Sequence, residues 1–167
     1  MGLAMNFQIL SMASMRYIDF QPEHAAAFKD LNVAWITKHF AIEAKDLEVL
    51  DAPVAKILAK GGHIVMAMDG DLPVGCCALV LLPDGGFEVA KMAVADSHQG
   101  RGLGNGLMQA CVDKAKALRA PRLYLETNSA LAPALAVYRR HGFVAITDPA
   151  RTVSPYARAD VWMEIMF

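Results

Sequence analysis

The stretch Gln99-Gly100-Arg101-Gly102-Leu103-Gly104-Asn105-Gly106 (QGRGLGNG) places four glycines at alternate positions between a predicted strand and a predicted helix. Glycine permits positive φ angles and lets a ligand approach the main chain closely, while the first amides of a helix have no internal partners. With the helix dipole behind them, such amides are suited to a phosphate or pyrophosphate. The stretch, which we call the glycine loop (residues 99–106), therefore predicts an anion-binding site.

Two common phosphate-binding motifs do not fit the glycine loop. It lacks the Gly-Lys-Ser/Thr ending of a P-loop, and its glycines do not give the spacing G-x-G-x-x-G. A turn that uses glycine for geometry alone is the structural alternative, although such a turn needs only one or two glycines. A nucleotide-binding domain that retains ATP or NAD is a further alternative.

The composition is that of a globular protein. Of 167 residues, 55% are hydrophobic and 20% are charged, with a net charge of -1, so disorder, nucleic acid and anionic membranes are not indicated. Three cysteines and five isolated histidines fit neither a disulfide framework nor a metal site, and no metal is expected. No charge precedes Arg16, so a signal peptide is not expected either. We expect a cytoplasmic protein with residues 1–14 as an N-terminal extension and residues 15–167 as one domain.

The hydrophobic periodicity predicts the α/β class, with a mixed and mostly antiparallel sheet of six to seven strands and about four helices. The predicted strands cover 15–20, a hairpin over 63–82, 87–94, 122–127, 143–146 and 159–167, and the predicted helices cover 21–40, 44–59, 103–118 and 131–141. The connection from strand 87–94 through the glycine loop and its helix to strand 122–127 is a crossover, which joins parallel strands.

The residues Gln99-x-x-Gly102-x-Gly104 match the Gln/Arg-x-x-Gly-x-Gly/Ala signature, and on this ground the chain resembles the GNAT family of N-acetyltransferases. Three more segments are similar to that family, namely FEVAKMAV (87–94), RLYLET (122–127) and LAVYRRHGF (135–143). The resemblance covers about residues 72–147, whereas the N-terminal helices match only in order and length. It implies a single-domain GNAT-like fold whose sheet is splayed between the fourth and fifth strands.

The resemblance implies acetyl-CoA as the acyl donor, with its pyrophosphate on the backbone amides of the glycine loop. It also implies that the end of strand 87–94 pairs through its backbone with the pantetheine arm, as an added β-strand would. Arg101 is a candidate phosphate contact, with a solvated side chain as the alternative. The candidate coenzyme-binding residues are Met92, Ala93, Val94, Gln99, Gly100, Arg101, Gly102, Leu103, Gly104, Asn105 and Asn128.

Acetyl transfer to an amine requires a base, because an alkyl ammonium has a pKa of about 10. Glu88 is the first candidate, since it precedes Gln99 by eleven residues, the offset of the strand glutamate in family members that use one. Strict alternation would place Glu88 on the same strand face as Met92 and Val94. Glu126 is the second candidate, a water is a third route, and a carboxylate at the rim is the structural alternative.

Tyr138 stands where the resemblance implies the tyrosine that protonates the departing thiolate, with core packing as the alternative. Many family members carry an asparagine seven residues before this tyrosine, but here that position is Leu131. Asn128 is therefore a candidate either for contact with the pantetheine or for capping the following helix. A backbone N–H near Val94 would polarise the thioester carbonyl.

The acceptor is expected to enter opposite the coenzyme, between the first two helices and the loop before the last strand. Trp35 and Phe40 are candidates for one side of this entrance, and Tyr156 and Arg158 for the other. Together with Arg151, Arg158 would suit an acceptor with a carboxylate, such as an amino acid or a peptide end. Core, rim or solvated positions are the alternatives for all of them.

These features predict an N-acetyltransferase that moves acetyl from acetyl-CoA to a primary amine of a small metabolite by direct attack in a ternary complex. Cys111 is predicted on a buried helix face, so a covalent acetyl-cysteine is not expected. The alternatives are acetylation of a protein N-terminus or lysine, and a non-catalytic acyl-CoA sensor. The resemblance leaves a homodimer open, and the sequence does not identify the acceptor.

Overall fold

A seven-stranded sheet forms the centre of the computed structural model, which describes residues 15–167. The strands are β1 (Met15–Asp19), β2 (His63–Asp69), β3 (Leu72–Leu81), β4 (Phe87–Val94), β5 (Arg122–Thr127), β6 (Val144–Ala145) and β7 (Val161–Met166), in the spatial order β1-β2-β3-β4-β5-β7-β6. The helices are α1 (Ala25–His39), α2 (Ala44–Leu50), α3 (Pro53–Lys56), α4 (Leu103–Ala117) and α5 (Ala132–Arg140). The predicted α/β class with a mixed sheet is confirmed; the predicted extension over residues 1–14 lies outside the described residues.

The parallel pair β4–β5 lies inside an otherwise antiparallel set of described strands and is very short. Phe87 is opposite Leu123 and Glu88 is opposite Tyr124, after which the two strands separate. By contrast, β5 pairs with β7 along its whole length. The predicted splay between the fourth and fifth strands is therefore present, and it opens a cleft inside the sheet.

Helices cover both faces of the sheet and define two hydrophobic cores. On one face, α4 and α5 contribute Leu107, Cys111 and Tyr138 to a core that we call the α4/α5 core. On the other face, Phe28 of α1 and Leu50 of α2 belong to a second core, the α1/α2 core. No helix within residues 15–167 is long and apolar enough to cross a membrane.

Two predicted elements differ from the observed ones. The single helix expected over 44–59 consists of α2 and α3, because Pro53 has no amide to continue α2 and instead occupies the first turn of α3. The strand expected over 143–146 is reduced to the two residues of β6, which form an edge of the sheet. Five α-helices are therefore present within residues 15–167, where about four helices were expected.

Candidate functional site

The splay between β4 and β5 leads into a cavity of about 620 Å³. The walls are formed by the ends of β4 and β5, the glycine loop, α5, the C-terminal end of α1 and residues 156–159. The predicted site residues that line it are Trp35, Phe40, Glu88, Met92, Ala93, Val94, Gln99, Gly100, Gly102, Leu103, Gly104, Asn105, Asn128, Tyr138, Tyr156 and Arg158. Glu126, the alternative base, also lines the cavity, whereas Arg101 is exposed and is not part of the wall.

The glycine loop has the backbone geometry of an anion-binding site. Gly100 and Gly102 have φ angles of 76° and 79°, and Gly102 is the N-cap residue immediately before α4. The amides of the first helical turn have no intrahelical partners and are available to a ligand. The Oδ1 atom of Asn105 is buried and has no hydrogen-bond partner among residues 15–167, although buried oxygens normally have one. This end of the cavity therefore offers both unsatisfied donors and an unsatisfied acceptor.

A hydrogen-bonded histidine anchors the start of the glycine loop. His98 lines the cavity and is only 8% exposed. Its Nε2 atom lies 2.7 Å from an oxygen of Asp69 at the end of β2, and its Nδ1 atom lies 2.7 Å from the Ser97 hydroxyl. The Gln99 side chain donates to the Val94 carbonyl at 3.3 Å. The loop is thus fixed to the strands β2 and β4 before the first glycine.

A β-bulge at Lys91 interrupts β4. Lys91 has a φ angle of 52°, and the register with β3 shifts at this point. Before the bulge Val89 packs in the α4/α5 core, whereas beyond it Met92 and Val94 pack against that same core. The expectation that Glu88 shares a face with Met92 and Val94 is therefore wrong, because the extra residue of a bulge moves the alternation by one.

The two glutamates of the cavity lie on one face of the sheet, the face of the α1/α2 core. The residues next to Glu88 on β4 and the residue before Glu126 on β5 belong to the α4/α5 core. Because neighbouring side chains of a strand point to opposite faces, both glutamates point to the other face. Burial, reinforced by the nearby Glu126 carboxylate and opposed by Lys91, raises the pKa of Glu88 to about 7. The hydroxyls of Tyr124 and Ser154 donate to the two Glu126 oxygens. With its pKa raised to about 7, Glu88 can take up and release a proton near neutral pH.

Tyr138 reaches the cavity from the opposite face of the sheet. It belongs to the α4/α5 core, is 9% exposed and packs at 6.1 Å, between ring centroids, against Phe143. Burial raises its pKa well above the ordinary value, so its hydroxyl keeps its proton at neutral pH. The splay therefore brings together a proton acceptor and a proton donor that lie on different faces of the sheet.

Aromatic side chains from the end of α1 form one part of the cavity wall. The ring of Trp35 lies 5.0 Å from that of His39 and 6.2 Å from that of Phe40, between centroids. All three residues line the cavity. They offer an apolar surface for the carbon skeleton of a ligand.

Another part of the cavity wall contains Lys91, Tyr156 and Arg158, which together with Glu43 and Asp46 form a largely buried polar group that we call the Asp46 cluster. Arg158 donates to both oxygens of Asp46, at 2.9 and 2.7 Å, and to Glu43 at 3.1 Å. Lys91 donates to Asp46 at 2.7 Å. Both cations lie over the Tyr156 ring, at 4.6 Å for Arg158 and 4.8 Å for Lys91.

The Asp46 cluster contradicts the expectation of arginines free to bind an acceptor carboxylate. The Asp46 side chain is completely buried; although burial favours its neutral form, hydrogen bonds from Arg158 and Lys91 hold its pKa well below the ordinary value. Arg158 is therefore already paired. The second expected arginine, Arg151, pairs with Glu164 and does not line the cavity.

Asn128 shapes the wall of the cavity through hydrogen bonds from its side chain to the backbone of two other residues. Its Nδ2 atom donates to the Arg158 carbonyl at 2.7 Å, and its Oδ1 atom accepts from the Ala130 amide at 2.8 Å. Leu131 is the N-cap residue of α5, and no side-chain hydrogen bond caps that helix. Asn128 thus does not cap α5; it connects the start of the α5 segment to the loop before β7.

Sequence reasoning missed His98 and three members of the Asp46 cluster, Glu43, Asp46 and Lys91. Lys91 gave a signal, since it is a lysine inside the otherwise apolar run VAKMAV. Asp46 lies on a polar helical segment and is separated from Arg158 by 112 positions, so its burial follows only from the tertiary structure. Within residues 15–167, no group of three or more His, Cys, Asp or Glu side chains is arranged to hold a metal ion.

Comparison with known proteins identifies the family. A family model described as the acetyltransferase (GNAT) family matches residues 19–143. The chain is similar to IAA acetyltransferase of Azospirillum brasilense, with 32% identity over 99 residues, which is 59% of this chain and 60% of that protein. It is also similar to streptothricin acetyltransferase of Streptomyces lavendulae, with 32% identity over 80 residues, or 48% and 42% of the two chains.

Solved structures show the same fold. A putative acetyltransferase of Salmonella typhimurium, solved with its cofactor acetyl-CoA, superimposes with a TM-score of 0.71 at 17% identity, over 91% of this chain and 93% of the other. The likeness to the two curated relatives is more restricted, since the chain spans only 60% and 42% of their lengths.

Proposed function

Given that the chain belongs to the GNAT acetyltransferase family, we propose that it transfers an acetyl group from acetyl-CoA to a primary amine of a small molecule, by direct attack in a ternary complex. The observation that carries this proposal is the pair Glu88 and Tyr138. A base candidate with a pKa of about 7 and a protonated tyrosine open into one cavity from opposite faces of the sheet. Such a pair can remove one proton and supply another on either side of a reacting centre.

The coenzyme end of the cavity fits this donor. The left-handed backbone at Gly100 and Gly102, the free amides at the start of α4 and the unpaired Asn105 oxygen offer contacts to a pyrophosphate and its neighbouring groups. The end of β4, at residues 92–94, has no strand beside it on the β5 side and can pair with the amides of a pantetheine arm. Acetyl-CoA supplies the activated thioester. Arg101, an exposed residue within the glycine loop, stays a predicted phosphate contact.

The proposed transfer gives each of these side chains one role. The Glu88 carboxylate takes a proton from the acceptor ammonium, directly or through a water, and the neutral nitrogen attacks the thioester carbonyl carbon. A backbone N–H near Val94 stabilises the oxygen as negative charge develops on it. As the C–N bond forms and the C–S bond breaks, the Tyr138 hydroxyl gives its proton to the departing sulfur. The proton that the new amide releases then restores Tyr138. Glu126 is the alternative base.

Two observations support a small acceptor. The volume of the cavity is within the range of small-molecule sites. One curated relative is named for the acetylation of streptothricin. A protein N-terminus or a lysine is the second candidate class, because each of them also presents a primary amine.

A thiol-release assay with acetyl-CoA and a panel of amines and peptides tests the proposal. We expect turnover with at least one small primary amine, and Tyr138→Phe should lower kcat about 100-fold because the thiolate loses its proton donor. Thr152→Val, which removes a hydroxyl that bonds to the Pro149 carbonyl and does not line the cavity, is the control and should leave kcat unchanged.

Each alternative function has its own result in this assay. Turnover with peptides alone would indicate a protein acetyltransferase. Binding of acetyl-CoA without turnover of any acceptor, and without an effect of Tyr138→Phe, would indicate a sensor. Retention of ATP or NAD instead of coenzyme A, measured by mass spectrometry of the purified protein, would indicate a nucleotide-binding domain.

A further inference from the structure

The charges that line and support the cavity do not balance. Two cations contribute, and both belong to the Asp46 cluster. Four carboxylates contribute: two form ion pairs with those cations, and two line the cavity directly. When all of these groups are ionised, the carboxylates exceed the cations by two negative charges. The cations are Lys91 and Arg158; the carboxylates are Glu43, Asp46, Glu88 and Glu126.

The surplus is located on the pair Glu88 and Glu126. Among residues 15–167, no lysine, arginine or histidine nitrogen forms a salt bridge with either carboxylate, whereas both cations of the cluster are paired. Of the two histidines that line the cavity, His98 is bonded to Asp69, and His39 lies against Trp35. A ligand that carries positive charge would therefore match these two carboxylates when they are ionised.

The two carboxylates have different requirements. In the proposed reaction Glu88 receives the proton of the reacting ammonium, so the charge of that ammonium is matched by the Glu88 carboxylate. Glu126 is held only by the neutral hydroxyls of Tyr124 and Ser154 and stays without a counter-charge when the reacting nitrogen has lost its proton. A second cation on the acceptor would satisfy it.

Resting on the proposed acetyl transfer, we infer that the acceptor is an amine that carries a second positive charge and no carboxylate, that is, a diamine or a longer polyamine. Glu88 faces the ammonium that reacts, and Glu126 binds the ammonium that does not. The aromatic wall of Trp35 and Phe40 provides the apolar surface for the carbon chain. This assigns to Glu126 a role in specificity.

The Asp46 cluster excludes an acceptor carboxylate. Such a group would approach two glutamates of its own charge. It would have to displace Asp46, a fully buried carboxylate, from Arg158 and Lys91 before either cation became free. Leaving a buried carboxylate without partners is costly, so amino acids are rejected at this site.

Three amines of matched length test the inference with acetyl-CoA as donor, namely 1,4-diaminobutane, butylamine and 4-aminobutanoate. We expect kcat/KM to be at least about tenfold higher for the diamine than for butylamine, and lowest for 4-aminobutanoate; tenfold corresponds to about 1.4 kcal/mol. Glu126→Gln should reduce the diamine-to-butylamine ratio to about one. Glu48→Gln, an exposed glutamate on α2, is the matched control and should keep the wild-type ratio.

The outcomes separate this inference from the function on which it rests. Efficient acetylation of butylamine or 4-aminobutanoate, equal to that of the diamine, would overturn the acceptor class and leave acetyl transfer in place. A Glu126→Gln protein that keeps the full ratio would overturn the role of Glu126. No transfer to any amine would instead refute the proposed function, and the inference with it. The wild-type panel decides the acceptor class by itself, even if Glu126→Gln fails to fold.

Discussion

At the scale of the residue, the pKa of Glu88 sets the pH range in which the proposed reaction proceeds. Glu88 acts as a base only when it is ionised, and its pKa is raised to about 7. We expect kcat/KM to rise about tenfold per pH unit below 7 and to level off above it. A pH–rate profile with a saturating donor measures this. A profile that is flat between pH 5 and 8 would remove Glu88 from the role of base.

The same shift makes Glu88 a cost to stability. Its pKa rises from an ordinary value of 4.5 to about 7 on folding, so the folded state binds the proton more tightly than the unfolded state. The free energy of unfolding therefore falls as pH rises from 4.5 to 7, and the loss is complete above 7.

Glu88→Gln is thus expected to increase the free energy of unfolding at pH 8 while it lowers activity, since glutamine carries no charge to bury. Urea denaturation at pH 8 and at pH 4.5 is the measurement, and the difference from wild type should be much smaller at the lower pH because Glu88 is then neutral in the folded protein. Equal stability at pH 8 would mean that the Glu88 carboxylate is better solvated than its burial indicates.

At the scale of the element, two contributions of a glycine in the glycine loop can be measured separately: the backbone conformation that it permits, and the contact of its backbone with the ligand. Gly102→Ala forces a side chain onto a φ angle of 79°, although no atom lies within 4 Å of the added Cβ. Gly70, in the β2–β3 turn, has a φ angle of 59° and equally open space, so Gly70→Ala is a matched control. Both changes should cost about 1 kcal/mol of stability.

Only Gly102→Ala should also raise the KM for acetyl-CoA, because only that backbone faces the proposed pyrophosphate site. The comparison of KM between the two variants, with the free energies of unfolding beside it, checks the prediction. A similar rise of KM in Gly70→Ala would attribute the effect to general destabilisation.

The last glycine of the loop has a packing role. A Cβ on Gly106, in the first turn of α4, would overlap the hydroxyl end of the Tyr17 ring on β1. Gly106→Ala is therefore expected to lower the free energy of unfolding by about 1 kcal/mol or more. In a Tyr17→Ser background, Gly106→Ala should instead raise the free energy of unfolding, since alanine is a better helix former than glycine by about 1 kcal/mol. A double-mutant cycle by urea denaturation measures this sign change, and simple additivity would refute the contact.

At the scale of the whole molecule, the Asp46 cluster connects α2, β4 and the loop before β7. Asp46→Asn should lower the free energy of unfolding by about 3 kcal/mol at pH 7, because Lys91 and Arg158 lose the charge that compensates them. The lowered pKa of Asp46 means that its stabilisation is present above an ordinary value of 3.8 and is lost as pH falls below it, so the difference should narrow in acid.

A matched control for this variant is Asp51→Asn. Asp51 pairs with Lys29 on the surface, with both side chains about half exposed, so its loss should change stability by less than about 1 kcal/mol. Guanidinium or urea melts of the two variants at pH 7 are the measurement. An equal loss of unfolding free energy in the two variants would show that burial does not strengthen the ion pairs of Asp46.

The sequence predicts the fold and the coenzyme end better than the acceptor end, for physical reasons. The strand, glycine loop and α4 are encoded by local residues, and so their order and bounds can be read from the chain. The bulge at Lys91 depends on pairing with β3, and the burial of Asp46 depends on Arg158 far along the chain. Tertiary pairing of this kind leaves no periodic signal, which is why strict alternation misplaces Glu88 and why the sequence offers Arg158 as a ligand for an acceptor carboxylate rather than as the partner of Asp46.

The two-residue contact between β4 and β5 also determines which backbone amides exchange with solvent. On the β3 side of β4, the amides are held in an antiparallel ladder, whereas beyond Glu88 the alternate amides point into the splay and have no strand to bind. The protein should therefore carry, in the middle of its sheet, a row of fast-exchanging hydrogens of the kind normally found at an outer edge. Deuterium uptake at residues 90–94 would slow once a ligand occupies the splay, so this row reports occupancy of the site without any measurement of catalysis.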